Sequence, residues 1–438
     1  MKEVSQPMEK YRINSTEQLT PELLLSLVNR YKLKEVPRLK RLYRYYENNS
    51  DIKQRTMSDK SKPNNRIATP FPNYITSTIL GYFLGKPVTY QSSNPNLMET
   101  VQYIFDTNEE QSHNAKLGVN QSIYGIGYEL MFLNEEGEVK FNSLNPTETF
   151  LIYDTSIISK PIAGVRFFDI QDYTSESLTM YVEVYTNSNI YHYRLEEDEL
   201  LLFGEEVHYF NAVPILAYEN SDERFGDYER VIDLIDAFDM TISDQQNSLE
   251  YFADSYLLIS GMDINDEDIR SMKENRVIIT DENGQASFLV KDATTQGLRE
   301  YQNTLQENIH TFSFVPDMSD EKFSNASGES LKYKLLGLEN AVSIKERHFK
   351  QSLEERIRLI VNFLNLKGHN YDNTDVVVSF TRNMPTNNSD VVEMVTKLKG
   401  LISDSSLISL LPFVEDTAYE LELLKQQNED SINSMGTY

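Results

Sequence analysis

GDYERVIDLIDAFDMTISDQQNSLEYF, residues 226–252, decides how the rest of the chain is organised. Val231, Leu234, Ile235, Phe238, Ile242, Leu249 and Phe252 fall in one sector about 100° wide at about 3.6 residues per turn, as in a helix with one buried side. Glu229, Asp233, Asp236 and Asp244 fall on the opposite side. Between 227 and 252 there are seven acids and one base, Arg230. That excess goes beyond what solubility needs. A wall that keeps a polyanion from sticking would carry such a face.

Downstream, residues 255–260 are strand-like, and 276–280 and 286–291 predict a hairpin around Asn283-Gly284. A second helix, 295–314, is stopped by Pro316. Helix, cap and helix together make one long arm. A polar loop, 316–327, follows and holds Asp317, Asp320, Glu321, Lys322, Phe323, Ser324 and Asn325. Residues 328–366 contain no proline and predict one helix about 55 Å long at about 1.5 Å per residue. Gly337 marks a bend in it and Gly368 its end. Asp263, Asn265, Glu267 and Glu274 occupy EF-hand ligand positions, but Asp268 stands where that loop needs glycine. A capped helix with acids in its first turn accounts for the same residues, so no metal is assigned.

Upstream, Thr20-Pro21-Glu22 starts a helix, and residues 36–48 predict a second. Residues 30–66 hold twelve Lys/Arg against four Asp/Glu on an acidic chain. Three readings of that run stay open: a solvated face, a contact with an acidic neighbouring subunit, or a polyanion patch. Further helices are predicted before Gly85-Lys86-Pro87 and over 97–105 and 112–123. From 128 to 214 the apolar period changes to two. Strands are predicted at 128–132, 139–141, 150–153, 162–168, 178–185, 189–194 and 207–210, with 196–206 a charged hairpin or loop. A last strand at 375–381 precedes amphipathic helices at 389–400 and 405–426, the latter broken near Pro412, and a disordered tail at 429–438.

The chain has 438 residues, enough for two or three packed units of α+β class. Its net charge of −27 excludes a generic nucleic-acid binder, whose affinity comes from Lys and Arg. There is no cysteine, hence no disulfide or thiolate site, and a reducing compartment is expected. No apolar run approaches the roughly 20 residues of a membrane span, and the N-terminus has no secretory pattern. The Walker A pattern is absent, Gly125-Ile126-Gly127 lacks a third glycine, the six histidines are dispersed, and no GxSxG elbow occurs. No catalytic residue, cofactor or metal ligand is therefore assigned, and a mechanical or assembly role is expected.

Four stretches then acquire a common meaning. They are Asn64-Asn65-Arg66 leading to Tyr74-Ile75 and Gly81-Tyr82-Phe83-Leu84-Gly85-Lys86-Pro87; Ser122-Ile123-Tyr124-Gly125 with Tyr128-Glu129-Leu130; Ile162-Ala163-Gly164-Val165-Arg166; and Ser327-Gly328-Glu329-Ser330-Leu331-Lys332-Tyr333-Lys334-Leu335-Leu336-Gly337-Leu338-Glu339. In this order, with an acidic two-helix arm between the last two, the chain resembles the SPP1-like portal proteins of tailed bacteriophages. The resemblance implies a portal fold: a mixed α/β wing, a two-helix stem, a small α/β clip, a long kinked helix and a helical crown. It implies an N-terminal arm at 1–29, wing at 30–225, stem helices at 226–252 and 295–315, and clip at 253–294. A tunnel loop at 316–327, a long helix with the rest of the wing at 328–389, and crown and tail at 390–438 complete the division. The family is known for rings of twelve subunits at one capsid vertex, assembled in the host cytoplasm and retained in the virion. The resemblance implies as partners further copies of the chain, the terminase large subunit, a head–tail adaptor, capsid and scaffolding proteins, and double-stranded DNA in the channel. The acidic stem face and the tunnel loop would meet that DNA. A packaging nuclease or ATPase, or a protein-only scaffold or adaptor, is the alternative.

Overall fold

Thr20 opens the first long helix, α1 (Pro21–Tyr46): its hydroxyl accepts from the Leu23 amide at 3.3 Å, and Pro21 fills the first turn. The sequence predicts two helices here, but α1 runs unbroken through Pro37. An internal proline costs about 3 kcal/mol. Leu24, Val28, Tyr31, Glu35, Leu39, Leu42 and Tyr45 form one buried stripe along the whole length, and that burial keeps the helix continuous through the proline. The computed structural model describes residues 7–59, 62–173, 177–253, 257–260, 269–270, 285–288, 295–319, 328–384, 388–411, 414 and 420–427. They divide into two units, residues 1–316 with 337–381, and residues 317–336 with 382–438.

In the first unit α2 (Phe71–Phe83), α3 (Pro95–Asp106) and α4 (Glu110–Tyr124) lie where the periodicity puts them. The strands are β1 (Tyr11–Arg12), β2 (Thr89–Ser92), β3 (Ile126–Leu133), β4 (Val139–Leu144), β5 (Thr149–Tyr153), β6 (Pro161–Gln171), β7 (Leu178–Tyr185), β8 (Asn189–Glu196), β9 (Glu199–Val207) and β10 (Ile215–Glu219). They build a six-stranded sheet in the order β1-β5-β6-β7-β8-β9 and a three-stranded sheet β10-β3-β4. All these pairings are antiparallel except β1 with β5.

Two strand assignments change. The charged stretch 196–206, left open as a hairpin or a loop, is a hairpin: the turn and edge strand β9; and 208–210 lies outside any strand. Glu197 and Asp198 both take left-handed φ, 47° and 66°, as a two-residue hairpin turn of primed type demands. The usual Asn-Gly signal is missing, so the turn was hidden among charges. β10 reads as Ile-Leu-Ala-Tyr-Glu without clean alternation, because both its faces are largely covered.

Tyr31 of α1 docks the helix on the six-stranded sheet. Its ring stacks on Phe150 at 5.0 Å and its hydroxyl donates to the Pro146 carbonyl at 2.5 Å. The arm follows as α5 (Ile232–Ala253), β11 (Leu257–Ser260), β12 (Gln285–Phe288) and α6 (Thr295–Ser313). β12 pairs antiparallel with β11. The other half of the predicted hairpin, 276–284, lies outside the described residues, as do all five residues weighed as an EF-hand. The helix predicted over 328–366 is two helices, α7 (Gly328–Lys334) and α8 (Leu336–Leu366), interrupted at Leu335 beside Gly337, glycine being a poor helix former. Gly368, at φ 101°, follows the end of α8. β13 (Val376–Ser379) pairs with β2. In the second unit α9 (Asn388–Leu398) lies where the first amphipathic helix is predicted, and α10 (Asp404–Ser409) begins the second and stops before Pro412, with residues 420–427 helical again.

The centre of the first unit is ionic. Arg356 of α8, fully buried, bonds Glu129 through Nε at 3.0 Å and lies 2.7 Å from it through Nη2; Nη1 reaches Glu110 at 3.2 Å and Asn114 at 3.0 Å. His113 and the Tyr218 hydroxyl complete the shell of Glu129 at 2.7 and 2.8 Å. Burial alone would raise the Glu129 carboxyl, but Arg356 and His113 outweigh it and hold it down to about 2. A depressed carboxyl contributes stability above its unfolded value and loses it as pH falls toward the folded one. Glu129 therefore contributes fully above about pH 4.5 and progressively less toward pH 2. Replacing Arg356 by Met leaves two buried carboxyls without their cation, and the expected loss is about 3–5 kcal/mol at neutral pH. Chemical denaturation at pH 7 and pH 4 checks this: the gap to wild type is largest at pH 7 and narrows in acid, where the carboxyls bury neutral.

Candidate functional site at the root of the arm

The chain enters the arm through a tight approach to the end of α4. Gly125 has φ 79°, and a Cβ there would stand 1.9 Å from the Arg224 carbonyl oxygen. A Cβ on Gly226 would lie 2.4 Å from the Ile123 carbonyl oxygen. The Asp227 amide donates to the Ser122 carbonyl at 2.8 Å. Its carboxylate accepts from Ser122 Oγ at 2.5 Å, Asn220 Nδ2 at 2.7 Å and Lys345 Nζ at 2.7 Å. Burial pushes the Lys345 ammonium down, and Asp227 opposes that shift.

From there one face of the arm helix is fastened to the second half of α1 and to the segment after it. Arg38 grips Glu229 with two bonds, Nε at 2.6 Å and Nη2 at 2.5 Å, and the Gly226 amide adds a third at 2.9 Å. Asp236 accepts from the Tyr45 hydroxyl at 2.6 Å and lies 3.6 Å from Arg41. Asp239 accepts from Ser50 Oγ at 2.6 Å and from Thr69 N and Oγ1 at 2.9 and 2.6 Å. Burial raises the Asp239 carboxyl, its hydrogen bonds lowering it only in part. Ser243 Oγ accepts from the Ile67 amide at 2.9 Å, and Asn247 Oδ1 accepts from the Asn65 amide at 2.7 Å. Arg55 reaches Asp244 at 2.6 Å. Residues 229, 236, 239, 243 and 247 recur every three, four or seven positions, so they share one helical face.

This places the predicted acidic face. Glu229 is buried, Asp236 is half-buried, and Asp244 is ion-paired. Asp233 and Glu250 are exposed. Val231, Ile235 and Phe238 are buried as the wheel predicts, whereas Leu249 is exposed, so the apolar stripe is covered near the body and open further along. The basic run 30–66 acquires a fourth meaning: Arg38, Arg41 and Arg55 are counter-ions for the arm helix of their own chain. Arg30 and Lys34 go to Glu9, and Arg44 to Asp51. No spacing in the sequence reveals these pairs, since the partners lie about 190 residues apart.

The second arm helix packs beside the first. Leu305 and Ile309 are buried, and Gln302 Nε2 donates to Gln245 Oε1 at 2.7 Å. The Tyr74 hydroxyl donates to the Pro316 carbonyl at 2.9 Å and the Tyr82 hydroxyl to Glu339 at 2.7 Å. Of the loop residues predicted to face DNA, Asp317 is described: its Oδ1 accepts from Ser319 N and Oγ at 2.9 and 2.6 Å, a turn-forming arrangement. Asp320, Glu321, Lys322, Phe323, Ser324 and Asn325 lie outside the described residues. Among the described residues one grouping has metal-ligand spacing, Glu219, Asp222 and His348. Glu219 is already held by Arg224 at 2.6 Å and Lys10 at 3.3 Å, so its charge is met.

Glu229 without Arg38 would be a buried carboxylate missing its cation. Arg38→Met is expected to destabilise by about 2–4 kcal/mol, and adding Glu229→Gln to recover most of that. Denaturant unfolding of the two single variants and the double variant checks it; additive losses would show that the pair does not couple the segments.

The family model described as phage portal protein, SPP1 Gp6-like, matches residues 27–434. The portal protein of Bacillus phage SPP1 is 24% identical over 449 residues, covering 97% of this chain and 88% of that protein. The portal protein of Clostridium phage phiCD119 is 23% identical over 405 residues, covering 85% and 88%. The match takes in the body, the arm and the helices after it together, and the chain belongs to the SPP1 Gp6-like family of phage portal proteins.

Proposed function

We propose that this chain is the subunit of a ring that stands at one vertex of a phage capsid and forms the channel for DNA entry and exit. Terminase, head–tail adaptor and capsid proteins would dock on that ring, and the protein would perform no catalysis itself. The single observation that carries this reading is the family match over 27–434, since it covers nearly the whole chain. Charge supports it. A chain of net charge −27 repels a duplex from all sides once copies surround it, which centres the duplex and offers few places to stall. The root of the arm supports it as well. A conduit wall must keep its place under load, and α5 is bonded to residues 38–69 along its length.

The proposed wall is narrower than the sequence predicts. Glu229 and Asp236 are drawn into the body, and Asp233, Asp244 and Glu250 are the exposed acids of α5 proposed to face the duplex. Residues 316–327 remain the proposed loop beside it. Electron microscopy of the purified protein tests the assembly: rings with a central pore are expected, and a monomer or a poreless particle would contradict it. Asp233→Lys with Glu250→Lys, two exposed changes, should leave rings intact and lower packaged DNA per particle several-fold. Unchanged packaging would remove the repulsive wall from the account.

A further inference from the structure

The six-stranded sheet has two unlike ends. At one end β9 is an edge strand with exposed apolar side chains on Leu201, Leu202 and Phe203, and Val207 and Tyr209 continue the patch. Soluble proteins blunt or cover such an edge, because its unpaired backbone and apolar side chains recruit another chain. Acids flank it: Glu197, Asp198 and Glu199 before, Glu205 and Glu206 after, all exposed.

At the other end lie the two-residue strand β1 and the loop that joins β5 to β6. That loop presents Ile157 and Ile158 to solvent, the first fully exposed and the second 76% exposed. It is a built prong. The Asp154 carboxylate accepts from Ser156 N, Ser156 Oγ and Lys160 N at 3.3, 2.8 and 2.9 Å, and the Asp154 amide donates to the Lys160 carbonyl at 2.9 Å. Ser159 takes a left-handed φ of 54°, and Thr155 Oγ1 donates to Asn14 at 2.9 Å. The exposed charges beside the prong are Arg12 and Lys160. A non-glycine residue in left-handed backbone and two isoleucines held in water both cost free energy, which a partner surface would offset.

From these two ends we infer that the isoleucine prong of one copy docks against the β9 edge of the next, with Arg12 and Lys160 facing the acids that flank β9. The patches differ in place and opposite charge, so the contact is heterologous: each copy offers both halves, and repetition closes a ring when the rotation permits. The inference rests on the ring proposed above and names one of its interfaces. No side chain in the contact belongs to the root of the arm, so the two can be disturbed separately.

The chain has no cysteine, so introduced thiols report without background. Ile158→Cys and Leu202→Cys are both exposed changes that leave buried packing alone. Under mild oxidation the double variant is expected to give a ladder of covalent oligomers on a denaturing gel. Each single variant should stay monomeric on that gel, and an equimolar mixture of the two should stop at dimers. Light scattering and microscopy of the same samples report whether rings form. Rings without a ladder overturn this interface and leave the portal reading standing. Dimers from a single variant also overturn it, since a two-fold contact is then in place. Monomers throughout overturn both.

Discussion

Five of the seven acids on and just before one helix are brought against a body that is itself acidic, and the structure meets this constraint by carrying cations and hydroxyls to them. Arg38, Arg41 and Arg55 reach Glu229, Asp236 and Asp244, Lys345 reaches Asp227, and Ser50 with Thr69 holds Asp239. Pairs of this kind add little net stability compared with apolar packing, because desolvating the charges offsets their attraction. What they add is discrimination. Sliding α5 by one turn against residues 38–69 would leave several buried charges unmatched at once, and each mismatch is expensive. The arm therefore has one register on the body, and the direction in which it leaves is set by that register.

The residues that carry the family resemblance gather at this same place. Asn65 bonds Asn247 of the arm helix, Asn64 braces Arg55, and Tyr74 holds the Pro316 carbonyl at the end of the second helix. Tyr82 meets Glu339, Ser122 meets Asp227 and Lys345, and Gly125 makes room for the Arg224 backbone. Glu129 stands deeper, on Arg356. The stretches read as a scattered signature in the sequence because they belong to different elements; in space most of them close one joint.

Much of the architecture was legible because it rests on local periodicity. The helix α5, the part of its apolar stripe buried near the body and the strands from 126 to 196 follow from spacing alone. What could not be read is what depends on long-range partners. α1 continues through Pro37 because a buried stripe on both sides holds it, which no local rule anticipates. At 196–206 hairpin and loop stayed open because the turn is Glu197 and Asp198 in place of glycine or asparagine. The four acids of the predicted face looked alike on a wheel, yet their surroundings separate them: Glu229 is buried in an arginine fork and Asp233 faces solvent. Charge counting found the two opposite-signed regions, 30–66 and 227–252, but not that they neutralise each other.

The central claim is that α5 is an extension of the body, fixed by its acids along residues 229–247. Native-state hydrogen exchange read by mass spectrometry measures this directly. If the claim holds, the α5 amides up to about residue 247 exchange as slowly as those of α1, and Arg38→Met and Arg55→Met speed exchange in α5 while α8 stays protected. Exchange in wild-type α5 as fast as in the exposed β8–β9 turn would mean that the arm is merely tethered, and the account would be wrong.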